Sequence, residues 1–306
     1  MTVGNMIGGF KAYYGLNEQP FSLAPNTEFY VDLKSQQECF NVLNYALETG
    51  EGFIKVTGEV GTGKTMLCRR LLNSFTENQV SVYIPNPSLS PQALWRAIAH
   101  ELCIDVNRVD LFQIQERIQE KLLQLALDNK TVILVVDEAQ CLPEDSLEAM
   151  RLISNLEMES RSLIQIVLFG QPELNDLLAT DRFRQLKQRI SYSAELKAMD
   201  EHSLQHYIQQ RMIFAGYRGM PIFDDKALKL MAKVTSGVPR LINIIAQKAM
   251  FSAFGGGASQ VSVAHVQAAA ADTEGAVKIS NYNSYYWREI SLLILVIVLV
   301  AINELS

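Results

Sequence analysis

Phe53-Ile54-Lys55-Val56-Thr57-Gly58-Glu59-Val60-Gly61-Thr62-Gly63-Lys64-Thr65 is the stretch on which the reading of this chain turns. Its first five residues form a short apolar run bounded by Gly52 and Gly58, the pattern of a buried strand. Met66, Leu67, Leu71 and Leu72 then recur with helical spacing. Between them lies G-x-x-x-x-G-K-T, in the strand-turn-helix context that gives this motif its meaning. Glycines let backbone wrap closely around a phosphate, and the N–H groups of the turn and of the first helical turn point at the anion. The expected nucleotide cradle is therefore Gly58, Glu59, Val60, Gly61, Thr62, Gly63, Lys64, Thr65 and Met66. Within it Lys64 supplies a charge between the outer phosphates, and Thr65 can offer a hydroxyl to the Mg²⁺ that accompanies a nucleoside triphosphate. A glycine-rich turn that only happens to precede a lysine is the plainer alternative, and the flanking strand and helix weigh against it.

A second element belongs with the first. Thr131-Val132-Ile133-Leu134-Val135-Val136 is apolar throughout, as a strand in the middle of a parallel sheet must be, and it ends in Asp137-Glu138-Ala139-Gln140. Acidic side chains at the carboxyl end of a central strand fall where open α/β sheets bind ligands. Asp137 is expected in the Mg²⁺ shell and Glu138 as the group that polarises the attacking water. A solvated acidic turn after a strand gives the same local pattern. Downstream, the strand Leu163 to Phe169 runs into Gly170-Gln171-Pro172, which sets Gln171 level with the nucleotide, either to read the γ-phosphate or as a structural turn residue.

The remainder of the core alternates in the manner of a sheet covered by helices on both faces. Val80 to Ile84 reads as a strand, and Ser90-Pro91 opens a helix through Leu94, Ile98 and Leu102. Leu111 to Leu127 places Ile114, Ile118, Leu122 and Leu125 on one helical face, and Ser146 to Glu157 reads as a further helix. Ahead of the core, residues 1 to about 35 carry many large apolar side chains punctuated by Pro20 and Pro25, which reads as a packed, irregular arm. Ser35 is the expected cap of a helix with Phe40, Leu43, Tyr45 and Leu47 inward. From Asp200 onward the strands stop and four helices follow, the third opened by Gly237-Val238-Pro239-Arg240. The expected fold is thus α/β, a P-loop core with a parallel sheet followed by an all-helical lid and a C-terminal hydrophobic helix. The expected divisions are 1–50, an arm and first helix packed on the core; 51–198, the core; 199–275, the lid; 276–289, a linker; and 290–303, a membrane anchor.

Composition narrows the function classes. A net charge of -6 over 306 residues argues against a surface built to hold nucleic acid. Cys39, Cys68, Cys103 and Cys141 form no C-x-x-C pair and no metal-ligand spacing, so they read as buried thiols in a reducing compartment. No charged n-region precedes an apolar stretch at the N-terminus, so the nucleotide site is expected in the cytoplasm. Near the other end, Tyr285-Tyr286-Trp287-Arg288 precedes an unbroken apolar run from Leu292 to Ile302. This run is shorter than the ~20 residues of a full span, but the aromatic and basic flank favours an anchor over a buried or partner-docking helix.

Together, Tyr14-Gly15-Leu16 with Pro20-Phe21, the Gly58 to Thr65 loop, Asp137-Glu138-Ala139-Gln140, Gly170 to Leu174, Gln188-Arg189-Ile190 and Gly237 to Arg240 resemble AAA+ ATPases of the general secretion pathway protein A family. Within that family they are most similar to proteins of MSHA pilus biogenesis. The resemblance covers about residues 12 to 272. It implies that Gln171 stands in the sensor-1 region, that Arg189 is an arginine finger acting on a neighbouring subunit, and that Arg240 is the sensor-2 arginine. Glutamine stands where many such proteins carry asparagine or threonine at sensor 1. The implied function is ATP hydrolysis by a homo-oligomer anchored to the bacterial inner membrane, working with pilus or secretion assembly proteins. The alternative is an ATP-controlled scaffold assembling on DNA, similar to transposition regulators.

Overall fold

In the computed structural model, residues 3–23, 29–158 and 161–278 are described. In chain order the elements are α1 (Val3–Tyr14), α2 (Lys34–Glu48), β1 (Phe53–Thr57), α3 (Lys64–Asn73), β2 (Gln79–Ile84), α4 (Pro91–Glu101), α5 (Leu111–Leu127), β3 (Thr131–Val136) and α6 (Glu144–Ile153). A short antiparallel pair follows, β4 (Glu157–Met158) with β5 (Arg161–Ser162), then β6 (Ile164–Gly170), α7 (Glu173–Leu178), α8 (Arg184–Arg189) and β7 (Ile190–Glu195). The chain continues as α9 (Glu201–Phe214), α10 (Asp225–Thr235), α11 (Pro239–Gly255) and α12 (Val263–Ala271).

Five strands make one parallel sheet in the order β2-β3-β6-β1-β7. Every residue of β6 is buried, as expected of a strand with a neighbour on each edge and helices on each face. One apolar cluster packs α4, α5 and α6 on one face, and a second packs α2 and α3 on the other. This order has a direct consequence for the site. With β6 between β1 and β3, the turn after β1 and the acids after β3 lie two strand spacings apart, about 10 Å, and Gly170-Gln171 opens between them.

Local signals account for most helix ends. Ser90 accepts a hydrogen bond from Ala93 N ahead of Pro91, Asp110 forms a reciprocal box with Gln113, and Asp200 and Asp224 cap α9 and α10. Several expectations need correction. The helix expected from Ser35 begins at Lys34, with Leu33 at its cap position; the Ser35 hydroxyl instead accepts from Lys197 N and ties the helix to the chain leaving β7. Its inward stripe is Cys39, Leu43, Ala46 and Leu47, while Tyr45 lies outside and meets Tyr192 edge-on. The helix expected over 146–157 spans Glu144–Ile153, since Glu144 and Asp145 suit the positive end of a helix and residue 157 is drawn into pairing. Cys103 and Cys141 are exposed; Cys103 occupies a left-handed position in the turn after α4, and Cys141 ends the short turn after β3.

The N-terminal arm is also revised. It begins with a helix, and its apolar side chains pack on the lid, while Tyr30 and Asp32 near its end accept from Arg70 of α3 and α2 packs on the core. Phe10, Tyr14, Leu16, Phe21, Phe29 and Val31 share one buried cluster with α9 to α12. Phe10 stacks on Phe251 at 4.3 Å, and the Tyr14 hydroxyl donates to Met250 O. Burying each such aromatic contributes about 2 kcal/mol. The anchor expected at 290–303, and the linker from residue 279 onward, lie outside the described residues. Among the described residues no helix is long and apolar enough to cross a membrane.

Candidate nucleotide site

Three backbone requirements shape the turn after β1. A Cβ on Gly58 would stand 2.8 Å from Leu196 O, so the strand can pass into the turn there only as glycine. Gly61 and Gly63 have φ of +82° and +102°, the region open to glycine at no steric cost. Gly63 is also the cap residue of α3, whose first free N–H groups therefore face the turn. Thr62 closes the loop from inside, its N and Oγ1 both donating to Glu59 O. Lys64 is buried and donates to Gly58 O at 2.7 Å and Glu59 O at 3.0 Å. Burial lowers its pKa from the ordinary lysine value, against the opposing pull of Glu138, Asp137, Glu59 and Glu173.

The two pieces of chain singled out in the sequence meet here. The Thr65 hydroxyl donates to the Asp137 carboxylate, which also accepts from Glu138 N at 3.0 Å. Burial raises the Asp137 pKa despite those hydrogen bonds. A hydroxyl and a carboxylate side by side are hard oxygen donors of the kind Mg²⁺ selects, so the residues present fit that ion. Glu138 has φ 53° and ψ 41°, a left-handed conformation in which a non-glycine residue is strained. Its Oε2 accepts from the side-chain amides of Gln140 and Gln171. Burial alone would raise its pKa, but those amides and Lys64 outweigh it and hold the carboxyl below its usual value. Glu138 is therefore ionised at neutral pH.

These groups border a cavity of about 330 Å³ between the core and the lid. Val60, Gly61, Gly63, Lys64, Thr65 and Met66 face it, as do Glu138, Gln171 and Arg240. Gly58, Glu59 and Thr62 shape the turn from behind, and Asp137 lies buried next to Thr65. Arg240 sits at the start of α11 with its backbone N donating to Gly61 O at 3.2 Å, which couples the lid directly to the phosphate turn. The approach is close enough that a Cβ on Gly61 would come within 2.8 Å of Arg240 Cβ. Arg189 is not brought to this cavity. It is exposed at the end of α8 and donates to Ser154 O and Oγ at 3.1 and 3.2 Å.

Sequence reasoning missed a second set of lining residues: Gln36, Tyr30, Tyr207, Arg211 and Asn243. Arg211 is buried in α9 and donates to the arm carbonyls Pro20 O, Phe29 O and Ser22 O, at 2.6, 3.3 and 3.2 Å. It thereby holds the arm against the open end of the cleft. Tyr207 donates to Asn243 Oδ1 at 2.9 Å on the same wall. Polar residues at otherwise apolar helical positions, Arg211 in α9 and Asn243 in α11, were the only signal available in the sequence. Gln140, inside the quoted acidic motif, was passed over as well.

A family model described as an AAA domain matches residues 47–178. General secretion pathway protein A of Aeromonas hydrophila is 36% identical over 267 residues, covering 87% of this chain and 49% of that protein. The chain thus spans about half the length of this curated relative. Among solved structures, ORC2 of Aeropyrum pernix matches with a TM-score of 0.61 at 16% identity, over 87% of this chain and 74% of that one. Cdc6p of Pyrobaculum aerophilum gives 0.63 at 20%, over 82% and 69%. The RuvB Holliday junction branch migration motor of Thermotoga maritima gives 0.52 at 17%, over 78% and 68%. At such identities the likeness to these structures is one of fold. The chain carries an AAA-type ATPase domain.

Proposed function

We propose that this chain binds ATP with Mg²⁺ in the cleft between core and lid, hydrolyses it, and uses the cycle to support assembly of a secretion-type envelope machine or a type IV, MSHA-like pilus. The observation that carries the reading is the convergence of Lys64, the Thr65–Asp137 pair, Glu138 and Gln171 on one cavity that Arg240 also lines from the lid. In this account Lys64 exchanges its loop carbonyls for the β- and γ-phosphate oxygens. Thr65 and Asp137 would hold Mg²⁺, which would supply charge neutralisation to the triphosphate. Glu138, ionised and at the cavity edge, orients and deprotonates the attacking water. Gln171 places its amide beside the γ-phosphate, and Arg240 follows the phosphates as the lid closes.

The finger is Arg189, acting on the nucleotide of a neighbouring copy. Its position outside its own cleft, exposed at the end of α8, supports a role in trans. Mixing two inactive variants tests this. Chains bearing Glu138→Gln keep a sound finger, chains bearing Arg189→Ala keep a sound site, and the mixture is expected to recover part of the wild-type rate that neither shows alone. No recovery at any protein concentration would remove Arg189 from that role.

Similarity to a general secretion pathway protein supports an envelope setting, and the apolar run Leu292 to Ile302 with its Tyr285-Tyr286-Trp287-Arg288 flank supports anchoring in the inner membrane with the ATPase domain in the cytoplasm. The full chain is expected to pellet with inner membranes, and a chain ended at Lys278 to stay in the supernatant. A full chain found in the supernatant would contradict the anchor.

A further inference from the structure

Glu138 combines two features that need external support: a left-handed backbone and a charged side chain at the edge of a cavity. Gln140 meets the second of them. It lies two residues on, in the turn Ala139–Cys141, and its amide is engaged at both ends. Its Oε1 accepts from Gln171 N at 3.0 Å. Because that backbone group can only donate, it fixes which end of the amide is oxygen, and Nε2 is thereby directed at Glu138 Oε2, 2.5 Å away. Gly170 lies beside this crossing: a Cβ there would clash with Leu174 Cδ2 at 2.7 Å and come within 3.3 Å of Gln140 Oε1. Gln171 Nε2 reaches the same Glu138 oxygen at 3.2 Å.

We propose that Gln140 is a positioning residue for hydrolysis, a bridge that takes its own orientation from the end of β6 and passes it to the Glu138 carboxylate. Both amides converge on Oε2, so the carboxylate is held by one oxygen and Oε1 is left for the attacking water. The bridge also links the acid to the γ-phosphate side of the site. A shift of Gln171 N moves the Gln140 carbonyl, and the opposite end of that amide moves Glu138. The inference rests on the hydrolytic reading above and adds to it the group that sets the aim of its base.

Two substitutions separate positioning from a merely structural tie. Gln140→Glu keeps an acceptor for Gln171 N but replaces the donor facing Glu138 with a like charge. Gln140→Met keeps the length of the side chain and removes both functions without adding charge. Steady-state phosphate release and ATP affinity are measured on the full chain for wild type and both variants. The expected result is a fall in kcat of about tenfold for Q140M, the loss of one charge-assisted hydrogen bond, and a larger fall for Q140E, with KM and Kd for ATP changed less than about threefold in each. Wild-type kcat in Q140E would show that only the acceptor matters and would overturn the proposal. So would loss of ATP binding in step with turnover in both variants, which marks a tie that holds the loop and nothing more. A wild-type chain that binds ATP without releasing phosphate would instead overturn the hydrolytic reading, before any variant is compared.

Discussion

Glu138→Gln is expected to leave ATP affinity within about twofold of wild type and to lower turnover by about 10²- to 10⁴-fold, the contribution of a positioned general base. The amide has the shape of the carboxylate, and its oxygen can still accept from Gln140 and Gln171, so the turn after β3 has no reason to rearrange. The groups that bind the triphosphate, Lys64 and the N–H groups at the start of α3, are untouched. What is lost is a base that its surroundings keep ionised at neutral pH. Binding of a fluorescent ATP analogue and phosphate release on the same preparation check both halves. Equal loss of binding and turnover would mean that Glu138 holds the fold of the site and not its chemistry.

Lys64→Met is expected to have the reverse profile. The phosphates lose a buried ammonium, and ATP affinity should drop by about 100-fold, which corresponds to about 2.7 kcal/mol. The apo protein should change little. Removing the ammonium leaves Gly58 O and Glu59 O without that donor, a cost of about 1 kcal/mol each, and it also relieves the desolvation that depresses the lysine pKa. Thermal melts with and without ATP separate the two effects. Wild type should gain about 2.7 kcal/mol of apparent stability at a hundred times its Kd, and the variant close to none at the same concentration. A variant that melts far below wild type without nucleotide, or that keeps the full ATP-dependent gain, would contradict the role assigned to Lys64.

The parts of the site legible in the sequence are those fixed by local geometry. The glycines from Gly58 to Gly63 must stand where backbone turns sharply or touches Leu196, and apolar runs before Gly58 and Asp137 identify the strands that carry the phosphate turn and the acids. The first three lid helices were legible because Asp200, Asp224 and Pro239 mark their starts. Residues whose role depends on distant chain were not. Nothing around Arg211 says that its guanidinium will meet carbonyls from residues 20 to 29, nearly two hundred positions earlier. Gln36 lies in the first turn of α2, yet its amide comes within 2.9 Å of where a Gly63 Cβ would stand. That the arm's aromatic side chains pack on the lid was hidden for the same reason: they required a partner, and the sequence did not say which of two apolar surfaces would provide it.

The claim beneath all of this is that one cleft, walled by the turn after β1, the acids after β3 and the first residues of α11, holds a metal-bound triphosphate. A crystal structure of the full-length Glu138→Gln protein grown with Mg²⁺ and ATP tests it most directly. The account predicts the γ-phosphate beside Lys64 Nζ, the ion between Thr65 and Asp137, and Arg240 turned toward the phosphates. A nucleotide lodged elsewhere on the molecule, or a metal held by other side chains, would contradict it.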